Sequence, residues 1–157
     1  MQSNTPVVLL QEIGGARRTL PIFIGTSEAT AIAYALQGVE TPRPMTHDLM
    51  RDMLSALGAT LDRVVVTELV ARTYYAELHM TLGARRITVS SRPSDALALA
   101  ARTGAPLSVA DDLMDAEGVV LAESEGDEEE TPENSEELVN EFQRFLDTVR
   151  PEDFGSS

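Results

Sequence analysis

Between Tyr74 and Leu82 the chain alternates, with Tyr74, Ala76, Leu78, Met80 and Leu82 on one side and Tyr75, Glu77, His79 and Thr81 on the other. Helical faces recur every three or four residues. A repeat of two therefore predicts a strand with one face on a core and the other toward water. The run Val64-Val65-Val66-Thr67-Glu68-Leu69 precedes it, and Arg86-Ile87-Thr88-Val89-Ser90 follows after a turn at Gly83-Ala84-Arg85. Strands joined by turns this short predict an antiparallel meander. The meander leads into a helical stretch in which Leu97, Ala98, Leu99 and Ala101 continue to Gly104.

The flanking segments fit the same layout. Val7-Val8-Leu9-Leu10 predicts a strand that ends at a Gly14-Gly15 turn. Leu20-Pro21-Ile22-Phe23-Ile24 predicts another, and Pro21 confines it to an edge or a first position because proline gives no ladder hydrogen bond. Thr26 or Ser27 is the expected cap of a helix whose apolar face is Ala29, Ile32, Ala33 and Leu36, with Gly38 as its stop. Thr46 is the expected cap of the next helix, with Leu49, Met53, Leu54 and Leu57 inward and Gly58 at its end. Leu107-Ser108-Val109 predicts a short strand, and Asp111 to Gly118 a last helical turn. Together these elements predict an α+β fold, a mixed and largely antiparallel sheet with three main helices packed on it.

Charge divides the chain more sharply than hydropathy does. Of 157 residues, 43% are hydrophobic, enough for a core in one domain. Residues 1–121 hold 13 acids against 10 arginines, a net of −3, whereas residues 122–157 hold 13 acids against 2 arginines, a net of −11. The body carries no basic stripe of the kind that marks non-specific DNA binders. Residues 1–121 are the expected domain and 122–135 an acidic, disordered linker, since like charges there repel one another. Residues 136–150 are expected to form a C-terminal amphipathic helix: Leu138, Val139, Phe142, Phe145, Leu146 and Val149 lie on one stripe. That stripe would dock on its own body, on a protein partner, or across a dimer. The chain has no cysteine, no apolar run near ~18 residues and no basic-then-apolar leader, so the expectation is a cytoplasmic protein without a membrane segment.

Two segments carry candidate chemistry: Arg43-Pro44-Met45-Thr46-His47-Asp48-Leu49 and Ser91-Arg92-Pro93-Ser94-Asp95-Ala96. Each places an Arg-Pro pair just ahead of a helix, with a carboxylate in the first turn. Free backbone N–H groups at a helix start attract anions, and an arginine beside them could share a phosphate. Glu28, Asp48 and Asp95 each open a helix; this is also where dipole complementation alone would put acids, and Arg43 and Arg92 could equally pair with them structurally. No glycine-rich phosphate loop of Walker type and no Gly-x-Ser-x-Gly elbow occurs.

The order Leu20-Pro21-Ile22-Phe23-Ile24-Gly25, Glu28-Ala29, Ala31-Ile32, Arg43 to Leu49, Leu57-Gly58-Ala59, Tyr74-Tyr75-Ala76 and Arg92 to Ala96 resembles the bifunctional nuclease family. The resemblance covers roughly Pro6 to Leu121, and the tail, with Phe145-Leu146-Asp147 and Pro151-Glu152-Asp153-Phe154, resembles that of actinobacterial members. It implies an α+β fold, a homodimer, and hydrolysis of phosphodiester bonds in DNA and RNA. Family members begin with a further strand ahead of the segment matching Ser3 to Pro6, so either a misassigned start or an exposed sheet edge is expected here. Placed on the matching positions, the chemistry would use Glu28, Asp48 and Asp95 as ligands for a divalent metal such as magnesium or manganese. His47 would act as ligand or general base, and Arg43 and Arg92 would grip phosphate oxygens. Tyr75 would pack or donate to a substrate, and His79 is expected at the surface. The alternative function is a non-enzymatic dimeric scaffold or regulatory module that binds a protein partner through the 136–150 helix.

Overall fold

The computed structural model describes residues 4–121. The expected acidic linker and C-terminal helix lie outside the described residues. Ten elements follow in order: β1 (Val7–Gln11), β2 (Thr19–Phe23), α1 (Thr26–Gln37), α2 (Thr46–Leu57), β3 (Ala59–Val70), β4 (Thr73–Leu82), β5 (Arg85–Ser91), α3 (Pro93–Thr103), β6 (Leu107–Val109) and α4 (Asp111–Glu117). The class is α+β, as the strand and helix periodicities require.

The meander forms as its alternation dictates. In β4, Ala76 and Leu78 are buried while Tyr75 faces out. β4 pairs antiparallel with β5 from Ala76↔Ser91 to Leu82↔Arg85. The sheet order is β5-β4-β3-β6, with the short β6 running parallel to β3 through Val65↔Ser108. At the β3–β4 turn Ala71 and Arg72 both adopt positive φ, 47° and 65°, the mirror-image turn whose twist suits adjoining strands.

The strands form a four-stranded and a two-stranded sheet, mixed and mostly antiparallel as expected. β1 and β2 pair with each other, from Val7↔Phe23 to Gln11↔Thr19. A bridge between Thr19 and Val119 continues that pairing from β2 to the segment after α4. Pro21 sits inside this narrow sheet, where a missing donor leaves few ladder bonds unmade.

The helices are organised around α3. Its residues Pro93, Ser94, Ala96, Leu97, Ala98, Leu99 and Ala100 are buried, because α1, α2 and β3 all pack on it. Alanines on a helix let neighbouring backbones approach closely, so three elements can share its surface. Leu99 joins Leu20, Val64 and Val66 as the largest fully buried side chains of the core.

α2 departs from the sequence reading. Met50 and Leu54 face the core, whereas Leu49, Met53 and Leu57 remain 52%, 54% and 69% exposed. The helix carries two apolar stripes and only one meets the body. Leu36 at the end of α1 is likewise exposed. The caps also differ: Gly25 and Met45 hold the N-cap positions, one residue ahead of the threonines expected there.

Truncating the hub residue tests this arrangement. Leu99→Ala should lower unfolding free energy by roughly 3 kcal/mol in chemical denaturation, the usual cost of emptying a fully buried leucine site. A loss below about 1 kcal/mol would mean that α3 is not the packing centre.

Candidate active site

Three helices begin in the same way. Gly25, Met45 and Arg92 are extended, with ψ of 163°, 175° and 146°, and the third helical residue after each is an acid: Glu28, Asp48 or Asp95. The first intrahelical bonds are donated by Ala29, Leu49 and Ala96. Backbone N–H groups ahead of them have no acceptor within the helix and make each start electropositive.

Because α1 and α2 both pack on α3, these starts converge. The Asp95 carboxylate lies at their centre. Its Oδ1 is 2.9 Å from His47 Nε2 on α2, and its Oδ2 accepts from Arg92 Nε at 2.9 Å. Arg92 also donates from Nη2 to Asp95 Oδ1 at 3.2 Å and from Nη1 to Glu28 Oε1 on α1 at 3.1 Å. One chain of contacts, His47 to Asp95 to Arg92 to Glu28, therefore links all three helices. His47 is the buried residue of α2, 8% exposed. Glu28 folds back over the preceding turn, and a Cβ at Gly25 would overlap its carboxylate.

Electrostatics fix the charge states. Burial alone would raise the Asp95 pKa, but the bonds from Arg92 and then His47 outweigh it and hold the carboxyl below its ordinary value. Arg92 is pushed upward, first by its bond to Asp95 and then by Glu28. An ionised carboxylate only accepts, so Nε2 of His47 is the donor in its bond to Asp95.

Asp48 has a different role from its two counterparts. One oxygen accepts the Met45 backbone N–H at 3.0 Å and the other accepts Arg102 Nε at 2.7 Å. Arg102, only 5% exposed in its side chain, also donates to the Ala98 carbonyl at 2.9 Å. The Arg102 bond, followed by the Met45 N–H, keeps Asp48 below the usual carboxylate range. Asp48 thus ties the end of α3 to the start of α2.

A cleft of about 270 Å³ opens over the junction, lined by Glu28, Tyr34, Met45, His47, Arg92 and Asp95 among others. Arg43 is exposed in the loop before α2 and lies outside that lining, and Tyr75 is exposed on β4. His79 sits on the outer face of β4 with Nε2 2.9 Å from Glu77. Among the described residues no group of three or more His, Cys, Asp or Glu side chains stands together as a metal site. Glu28 and Asp95 are bound to Arg92 and Asp48 to Arg102, so the three acids do not meet as one ligand set. A larger groove of about 520 Å³ runs along β1 and β6, but its charged lining residues are Glu12 and Asp111, which would repel an anion.

Glu28, His47, Asp48 and Asp95 stand in the first turns of their helices and Arg92 at the N-cap of α3, as expected from the sequence. Arg102 and Tyr34 were not among the expected residues. Arg102 was visible only as a cation in the last turn of α3, where it would complement the helix dipole without any particular partner. Tyr34 lies well inside α1 and carries no motif.

The fold and site define a class: an α+β domain whose helix starts gather a histidine, carboxylates and an arginine in one small cleft. The chain belongs to the bifunctional nuclease domain family, whose family model matches residues 8–122. It is 48% identical over 151 residues to an uncharacterized protein of Mycobacterium tuberculosis, covering 96% of this chain and 89% of that protein. It is 29% identical over 144 residues to bifunctional nuclease 2 of Arabidopsis thaliana, covering 90% of this chain and 44% of that one. Bifunctional nuclease 1 of Oryza sativa subsp. indica is 29% identical over 105 residues, 65% of this chain and 32% of the rice protein. The chain thus spans less than half the length of these two plant relatives. Among the described residues no helix is long and apolar enough to cross a membrane.

The lowered Asp48 and Asp95 values give a signed pH prediction. Groups with depressed folded-state pKa contribute stability above the unfolded value and lose it as pH falls through the folded one. Stability should therefore drop on acidification below about pH 4. Arg102→Met, which frees Asp48, should cost roughly 2 kcal/mol near neutral pH and less in acid. Measured by urea denaturation across pH, an equal cost at both ends would show that the pair is not formed.

Proposed function

We propose that this chain hydrolyses phosphodiester bonds of DNA and RNA in the cleft between α1, α2 and the start of α3. The observation that carries the reading is the joining of His47, Asp95, Arg92 and Glu28 at three converging helix starts. Such a place favours a phosphate group through the positive ends of the helices and a guanidinium held by Asp95 and Glu28.

In this reading a substrate phosphate takes Arg92 from Glu28, exchanging one anion for another. Asp95 keeps the His47 ring oriented and fixes its tautomer. Nδ1 of His47 takes a proton from water as the water oxygen forms its bond to phosphorus. The ester P–O bond breaks, and the leaving oxygen takes a proton from bulk water. Arg92 and the helix starts offset the negative charge that builds up on the equatorial oxygens. Asp48 acts at a distance, by holding α2 against α3. Arg43 lies outside the cleft and would contribute at most to the approach of the polyanion.

The test uses labelled RNA and DNA strands with the purified full chain. General-base catalysis contributes about 10²-fold or more, so His47→Ala should lower kcat by at least that factor. Tyr75→Phe should leave it unchanged. Arms with chelator, magnesium and manganese ask whether a cation enters with the substrate. Activity that persists unchanged in His47→Ala belongs to a contaminant and would overturn the reading.

A further inference from the structure

We propose that Tyr34 is a stacking platform for an unpaired base, so that the cleft selects single-stranded over duplex nucleic acid; this rests on the phosphodiesterase reading of the same cleft. Ser27, Thr30, Ala31 and Tyr34 all line it. They stand at i, i+3, i+4 and i+7, which places them in one stripe along α1. The first three are small, and the stripe ends at the aromatic ring. From Ser27 to Tyr34 the helix rises about 10 Å, so the ring lies one short span from the end where Arg92 and His47 stand.

The chain has three tyrosines, and only one of them is available for this. Tyr74 packs against the core and Tyr75 faces out from β4, whereas Tyr34 is half-buried in the cleft wall. Met45, at the N-cap of α2, lines the same cleft and is 47% exposed. A polarizable thioether and an aromatic ring are both suited to the faces of a flat heterocycle. The cleft therefore has the Arg92 guanidinium and the helix starts, Met45 among them, at one end, and the Tyr34 ring about two turns along α1 at the other. A nucleotide lying along the stripe puts its phosphate at the first and its base at the second.

Strandedness follows from that division. In a duplex each base is paired and covered by its neighbours, and presenting its face requires unstacking. In a single strand the face is already free, and stacking on an aromatic side chain is tolerant of sequence. The volume of about 270 Å³ is just below the range of ligand cavities, so the cleft takes a small part of a strand rather than a double helix.

Binding of a fluorescently labelled short oligothymidylate, followed by anisotropy in chelator, tests this apart from turnover. Tyr34→Ala should weaken binding about tenfold, as loss of one stacked base does. Tyr34→Phe should stay within about twofold, while Tyr34→Leu, which keeps bulk without a π-face, should resemble Tyr34→Ala. None of the three should change binding of a duplex of the same length, nor the salt slope, because stacking releases no counterions. Arg92→Ala should reduce that slope. If Tyr34→Ala binds oligothymidylate like the wild type, or weakens single strand and duplex equally, while Arg92→Ala still lowers affinity, the stacking inference falls and the cleft reading stands. If the wild-type chain binds no nucleic acid at all, both fall.

Discussion

A helix buried over most of its length needs neighbours on most of its surface, and α3 is such a helix. Its alanines and leucines from Ala96 to Ala100 are all buried, so α1, α2 and β3 pack around it. That demand places α1 and α2 on the same helix without their being paired to each other, and the space left between them is the cleft. The catalytic candidates are brought together by a packing requirement, although they lie far apart in the sequence.

Burying α3 up to its first turn creates a second requirement. Its acid, Asp95, cannot be left in a partly buried position without partners, because an unpaired charge there would cost several kcal/mol. His47 supplies one partner and Arg92 the other, and Arg92 in turn reaches Glu28. The same contacts that satisfy a buried carboxylate therefore produce an oriented imidazole beside a fixed guanidinium. Asp95 holds the His47 imidazole at the cleft, whereas Asp48 ties α2 to α3 through Met45 and Arg102. Both acids occupy the third position of a helix, and they differ only in what the packing brings opposite them.

Much of the fold was legible because its signals are local. The period of two in β4 and the glycines at 38, 58 and 104 fixed strands and helix ends within a few residues. Division into two sheets was not legible, since it depends on which strands pair and on a bridge joining Thr19 to Val119 across most of the domain. The inward face of α2 was misread for a related reason. Leu49, Met53 and Leu57 form as good a stripe as Met50 and Leu54, and periodicity alone cannot choose between them. In the cleft, helix-start chemistry pointed to Glu28, His47, Arg92 and Asp95 but could not separate Asp95 from Asp48. Arg102 and Tyr34 carried no local signal, because their roles come entirely from what packs beside them.

The Asp95 carboxylate couples the starts of α2 and α3, and a double-mutant cycle measures that coupling directly. His47→Ala and Arg92→Ala would be compared singly and together by urea denaturation near neutral pH. Because both side chains bind Asp95, their stability losses should be non-additive by about 1 kcal/mol. Losses that add, within about 0.3 kcal/mol, would mean that His47 and Arg92 do not share a partner in solution, and would contradict the account.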